Sequence, residues 1–204
     1  MLFLFLILLL AIIAFFKTDV KDKFIKPKYE DVIKSDIDYD SDGLDDYTDI
    51  LNGAKDFISK KPKYKSKYYD GGYPTDEYRV CTDIIWYALK NAGYDFKTLI
   101  DEDIKNNKDE YDEDVGDTNI DFRRVRNIKV YLDRNALKLA NDSDFNPGDI
   151  VVYKKHIAIV SDKVNSKNEN YILHQHMYQA YEYDGLFKNE ILGHYRWRLN
   201  DGKK

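Results

Sequence analysis

Apolar positions fall into three regimes along the chain. From Met1 to Phe16 every side chain is apolar, and at about 1.5 Å per residue a helix over this run measures about 24 Å, short of the roughly 30 Å hydrocarbon core of a bilayer. Residues 17 to 44 are polar and charge-rich and read as a tether carrying an acidic loop. After residue 45 the period becomes helical. Ile50, Leu51, Ala54, Phe57 and Ile58 predict a helix over 45–60, and further helices are expected over 81–92, near 96–105 and over 123–133, with Gly93 as a cap and an acidic loop at 106–118. Short β-prone runs then predict strands near 136–140, 149–153, 156–161, 169–175, 178–183 and 190–197. Helices first and a consecutive antiparallel sheet last make an α+β domain over 45–200, with N-terminal helices packed on a C-terminal sheet, long enough for one core.

The apolar run reads as a hydrophobic anchor helix over 1–16. A cleaved signal would bring a basic leading region and a small-x-small site, and neither is found near Ala14-Phe15-Phe16-Lys17. No cysteine follows the run, which argues against a lipoprotein. Lys17, Lys21, Lys23, Lys26 and Lys28 come after it, and by the positive-inside rule alone they would leave the domain in the cytoplasm. The net charge of −5, with acids and lysines interspersed, gives no footprint for nucleic acid. Eighteen tyrosines suit strand packing or a stacking surface for peptide or glycan.

The one cysteine, Cys81, follows a Gly-rich loop (Gly71-Gly72-Tyr73-Pro74) and opens the second helical run. A disulfide within one chain is therefore excluded. A thiol at a helix N-terminus faces unpaired N–H groups and the positive end of the helix dipole, which favours thiolate. A nucleophile of this kind needs a base and a group that orients the base. Of the four histidines, His156 opens one predicted strand and His174 ends the next, so that neighbouring antiparallel strands can hold them side by side, with Ile172, His174 and His176 on one face. His194 reads as a structural or rim residue. Arg79, Arg123 and Arg124 are candidates for holding a substrate carboxylate through bidentate bonds, or alternatively for pairing with Asp83 or Asp121 before a helix.

In the tether, Asp38, Asp40, Asp42, Asp46 and Asp49 occupy positions 1, 3, 5, 9 and 12 of a loop with Gly43 at position 6. This is the spacing of an EF-hand loop. Asp38, Asp40, Asp42, the Leu44 carbonyl and Asp49 are the expected ligands of a structural Ca²⁺. Asp49 is one methylene shorter than the usual terminal glutamate, which implies weaker binding. An acidic linker with good helix-capping residues reads equally well.

Taken together, Tyr68-Tyr69-Asp70-Gly71-Gly72, Val80-Cys81-Thr82-Asp83, Asn119 to Val125, Pro147-Gly148-Asp149-Ile150-Val151, His156 to Asp162 and Gly193-His194-Tyr195-Arg196 resemble the NlpC/P60 branch of papain-like cysteine peptidases and, more closely, the DUF1287 family of bacterial envelope proteins. The resemblance implies a papain-like fold with Cys81 as nucleophile, His156 as base, His174 as orienting group and Tyr68 lining the oxyanion site. It also implies an extracytoplasmic domain at the bacterial envelope. Thr82-Asp83 departs from the small residues that usually follow the cysteine, and a carboxylate there opposes thiolate unless it turns toward free N–H groups. The loop from Gly72 to Cys81 also looks about one residue longer than the NlpC/P60 pattern.

Two classes of function follow. One is a membrane-anchored, monomeric cysteine hydrolase cleaving an amide bond in cell-wall peptide, with no cofactor in the chemistry. The other is a calcium-stabilised envelope module that binds without chemistry. An acyltransferase or amidase on another substrate would use the same residues as the first.

Overall fold

The computed structural model describes residues 28–198, so the apolar run over 1–16 and the first part of the tether lie outside the described residues. Among the described residues no helix is long and apolar enough to cross a membrane. The elements in order are β1 (Lys28–Tyr29), α1 (Asp46–Ser59), β2 (Lys63–Tyr64), β3 (Tyr78–Arg79), α2 (Asp83–Asn91), α3 (Phe96–Asn106), α4 (Val125–Asn135), β4 (Leu137–Leu139), β5 (Ile150–Tyr153), β6 (His156–Val164), β7 (Asn170–Gln175), β8 (Ala180–Tyr183) and β9 (Ile191–Arg196). This is the mixed α+β architecture expected, with four helices ahead of an antiparallel sheet.

The sheet runs β4-β9-β5-β6-β7-β8, with β1 added antiparallel at the far end of β6. It is not a simple consecutive meander, because the last strand returns to insert between β4 and β5. Both faces are covered, so β5 is buried at every position. Ile150, Val152, Ile157, Ile159, Leu173 and Tyr195 face the helices, whereas Val151, Tyr153, Ala158, Val160 and Ile172 pack with Leu186 and Ile191 on the opposite face. Period-two alternation feeding two apolar layers gives the continuous hydrophobic runs read in the sequence.

Helices α1 and α2 meet at Gly53, where a Cβ would stand 2.7 Å from the Asn91 Cβ and 2.9 Å from the Ala88 Cα. That close approach seats the C-terminal half of α2 against α1. From residue 28 onward the polar segment makes contacts with the domain. Strand β1 pairs with β6, the Ile33 N–H donates to Asn146 at 2.9 Å, and the Tyr39 ring stacks on Tyr94 at 4.2 Å. Aromatic and backbone contacts outweigh its high charge and dock it on the domain.

Candidate active site

The segment before the cysteine is set by the parallel pairing of β2 with β3, Tyr64 lying opposite Arg79. The chain then turns through Val80, Cys81 and Thr82 into α2, which starts at Asp83. Thr82 does not cap the helix; its hydroxyl donates to the Arg123 carbonyl at 3.0 Å. The Asp83 side chain instead ties the turn to the helix. The Asp83 carboxylate accepts the Val80 N–H at 2.7 Å and the Trp86 indole N–H at 2.9 Å. It also receives Arg123 Nε at 2.8 Å and Nη2 at 3.0 Å. Arg123 Nη1 in turn donates to the Lys67 carbonyl at 3.0 Å. Asp83 thus turns onto N–H donors and pairs with a guanidinium, though its charge still acts against thiolate at Cys81.

Cys81 itself is partly buried, and the backbone N–H groups of Ile157, Thr82 and Cys81 lie near enough to favour its thiolate. Burial is the largest influence and pushes the thiol up to about 11, with Asp83 adding in the same direction and the N–H groups opposing. The depressed thiol expected from a helix N-terminus is thus corrected: removal from water outweighs the dipole.

The contact with Ile157 brings the start of β6 against the thiol, and His156 is the neighbouring residue. His156 Nε2 lies 2.9 Å from His174 Nδ1, across adjacent strands. His174 is buried, stacked on Tyr183 and edge-on to Tyr181, and its Nε2 has no partner. Burial lowers His156 to about 4 and His174 to about 3, with repulsion from neighbouring imidazoles adding to it. Both rings are therefore neutral. For His156 Nδ1 to accept a proton, Nε2–H must donate to His174 Nδ1, which leaves the His174 proton on its buried Nε2.

Cys81, His156 and His174 open onto one cavity of about 680 Å³. Tyr64, Tyr153, His176 and Met177 also line it, with Lys154, Lys155 and Lys188 around Glu190. The sequence reading missed Tyr64 and the lysines. Lys154 and Lys155 are legible as the turn between two strands directly ahead of His156, whereas Lys188 reaches the site only through the fold.

Other expected residues lie elsewhere. Tyr68 is 60% exposed and bonds to Asp117 at 3.2 Å and Asn119 at 3.0 Å, and it does not line the cavity. Tyr64, not Tyr68, lines the cavity that Cys81 opens onto. Arg123 is committed to Asp83 and buried, so it cannot hold a substrate. Arg124 pairs with Asp121 and Asp114, and the Arg79 guanidinium donates to the Asp76 and Tyr78 carbonyls. His194 is structural as expected, fully buried between the Ala140 carbonyl at 2.7 Å and Asp149 at 2.8 Å.

The segments carrying this geometry coincide with a family match over residues 51–197, to a profile described as a domain of unknown function, DUF1287. The chain belongs to the DUF1287 family. This DUF1287 chain is also 32% identical over 164 residues to a protein of Escherichia coli (strain K12) named "Uncharacterized protein YijF", spanning 72% of the chain and 80% of the relative. No solved structure matches it.

Ahead of the family segment, the acidic loop curls as its spacing predicts. Gly43 has φ +97°, a value that favours glycine. Asp38, Asp40 and Asp42 each bring a carboxylate oxygen within 4.8 Å of the others. Asp46 is turned away from them: its carboxylate accepts the Tyr39 N–H at 2.9 Å and the Tyr94 hydroxyl at 2.5 Å. Asp49 is 1% exposed, and its Oδ2 has no hydrogen-bond partner.

Proposed function

We propose that this DUF1287 protein is a cysteine hydrolase of the NlpC/P60 kind, with a papain-like arrangement of Cys81 on a helix against His156 and His174 on the sheet. The observation that carries the reading is one cavity onto which the thiol and an aligned imidazole pair, 2.9 Å apart, both open. In the reaction, the Cys81 thiol passes its proton to His156 Nδ1 as sulfur attacks an amide carbonyl. The C–N bond breaks as His156 returns the proton to the leaving nitrogen. Water then cleaves the thioester, releasing the acid and restoring the thiol. Backbone N–H groups around the sulfur, Cys81 N–H first among them, are the natural oxyanion donors. His174 keeps the His156 ring in the required tautomer.

The substrate class follows from the walls. Three lysines against one glutamate, in a chain of net charge −5, favour a ligand carrying carboxylates. Wall stem peptides fit that chemistry, and they suit an envelope location with residues 1–16 as anchor. The test is mass spectrometry of the protein mixed with wall peptide fragments. A covalent acyl adduct on Cys81, with amide cleavage abolished in Cys81→Ala and His156→Ala, is the expected result; fragments left intact by protein whose fold is verified would overturn it. The raised thiol favours one other reading, a binding module without chemistry, which predicts peptide binding that Cys81→Ala leaves unchanged.

A further inference from the structure

We propose that the loop from Asp38 to Asp49 is a calcium site, holding one hard divalent cation between the Asp38, Asp40 and Asp42 carboxylates, the Leu44 carbonyl and the Asp49 carboxylate. The proposal is independent of the cysteine chemistry. Three exposed acids alone do not make a site, since such clusters form in many solvated loops. Asp49 is the deciding observation. A carboxylate taken almost wholly out of water normally gathers hydrogen bonds or a counter-ion, because burial without a partner costs several kcal/mol. Asp49 Oδ2 has neither, at 1% exposure. The charges that act on it are Asp42, Asp40, Asp38 and Asp46, all of its own sign. A cation among Asp38, Asp40, Asp42 and Asp49 would relieve both the missing partner and the repulsion.

The ligand chemistry is specific to a hard ion. Every donor is oxygen, the carboxylates come from positions 1, 3, 5 and 12, and the turn at position 6 is made by a glycine with positive φ. Flexible all-oxygen coordination of this kind suits Ca²⁺ over Mg²⁺, which demands a tighter octahedron and keeps its waters. Asp46 is excluded from the ligands because its carboxylate is bound to Tyr94 and the Tyr39 N–H.

The site also has a place in the architecture. Its Asp40 Cβ presses on Gly93, at 2.7 Å from where a Cβ would stand. Tyr39 stacks on Tyr94, and Asn91 donates to the Asp49 carbonyl at 2.9 Å. Gly93 and Tyr94 follow the C-terminal end of α2, whose other end carries the cysteine. A bound ion would staple the start of α1 to the end of α2.

The experiment is a titration of metal-stripped full-length protein with CaCl₂ by calorimetry, and with Tb³⁺ by tyrosine-sensitised luminescence, Tyr39 and Tyr94 lying at the loop. One ion per chain is expected, with a dissociation constant of about 10⁻⁴–10⁻³ M given the short Asp49, a raised melting midpoint in Ca²⁺, and little effect of equal Mg²⁺. Asp40→Asn and Asp49→Asn should each weaken binding by about tenfold or more, while Asp36→Asn, outside the loop, should not. Asp40 is exposed, so its variant remains informative if the Asp49 variant fails to fold. Absence of saturable binding up to about 10 mM Ca²⁺, or binding that Asp40→Asn leaves unchanged, would overturn the proposal.

Discussion

Arg123→Leu should destabilise the domain far more than an ordinary surface change, and the reason lies in the segment that carries Cys81. The Arg123 and Asp83 side chains are 1% and 0% exposed, so removing the guanidinium strands a carboxylate in the interior. Breaking such a pair costs about 3–5 kcal/mol. The substitution also removes the bond to the Lys67 carbonyl and the guanidinium's position 5.2 Å over the Tyr69 ring, which places the expected loss in the upper half of that range. For a domain of this size, about 4 kcal/mol corresponds to a fall in Tm of roughly 8–16 °C. Urea unfolding followed by tryptophan fluorescence is the assay, since Trp86 donates to the same carboxylate. The m value should not change. Replacing both partners, in Arg123→Leu/Asp83→Leu, should recover only part of the loss, because the Val80 N–H and Trp86 N–H are then orphaned at about 1–3 kcal/mol each. A loss below about 1 kcal/mol in the single variant, or full recovery in the double, would refute the view that this pair fixes the start of α2.

Alkylation of Cys81 without substrate should be slow at neutral pH and climb about tenfold per pH unit toward pH 10, since a thiol held at about 11 is ionised only about one part in ten thousand at pH 7; a plateau below pH 8 would contradict the burial argument. His156 and His174, held at about 4 and about 3 when folded, bind protons in the unfolded chain first. Their contribution is complete above about pH 6.5 and is lost as pH falls toward 4, with a slope of up to about 2.7 kcal/mol per pH unit that Asp49, raised to about 6, partly opposes. Urea unfolding at pH 7 and pH 4.5 should show this decline, and His156→Ala/His174→Ala should flatten it. Gly93→Ala should cost about 2 kcal/mol or more, because φ is +81° and the new Cβ would meet Asp40 at 2.7 Å; differential scanning calorimetry would report it.

Most helices and strands were legible because their apolar periods are clean. The 45–60 expectation became Asp46–Ser59, and the 169–175 expectation became Asn170–Gln175. What the period does not carry is pairing order, and so the insertion of β9 between β4 and β5 was not legible. The docking of residues 28–44 was hidden for a related reason: a charged segment reads as solvated unless the few aromatic and backbone contacts that hold it are known. At the site, Cys81, His156 and His174 were legible from chain order and strand alternation. Tyr68 was expected from the family resemblance alone, and nothing in the sequence singled out Tyr64, which reaches the cavity through the pairing of β2 with β3. The arginines were ambiguous because a guanidinium serves a buried carboxylate and a substrate carboxylate with the same atoms, and only burial separates the two uses.

The buried thiol constrains how the proposed hydrolase would work. Moving the proton from a thiol at about 11 to an imidazole at about 4 costs roughly 9–10 kcal/mol for separated groups. Attraction between the resulting charges at contact returns about 4 kcal/mol at an effective dielectric of 20. The remaining deficit means that the resting site holds a neutral thiol and a neutral imidazole, unlike an enzyme with a standing thiolate–imidazolium pair. In the proposed hydrolase, nucleophilicity would then be generated within the reaction, as negative charge moves from sulfur to the substrate oxygen and nearby backbone N–H groups donate to it. A neutral resting pair also fits its surroundings. Asp83 is already paired with Arg123, and His174 has no second acceptor on which to disperse a positive charge. In the proposed hydrolase, such a site would carry charge only while an acyl group is present to share it.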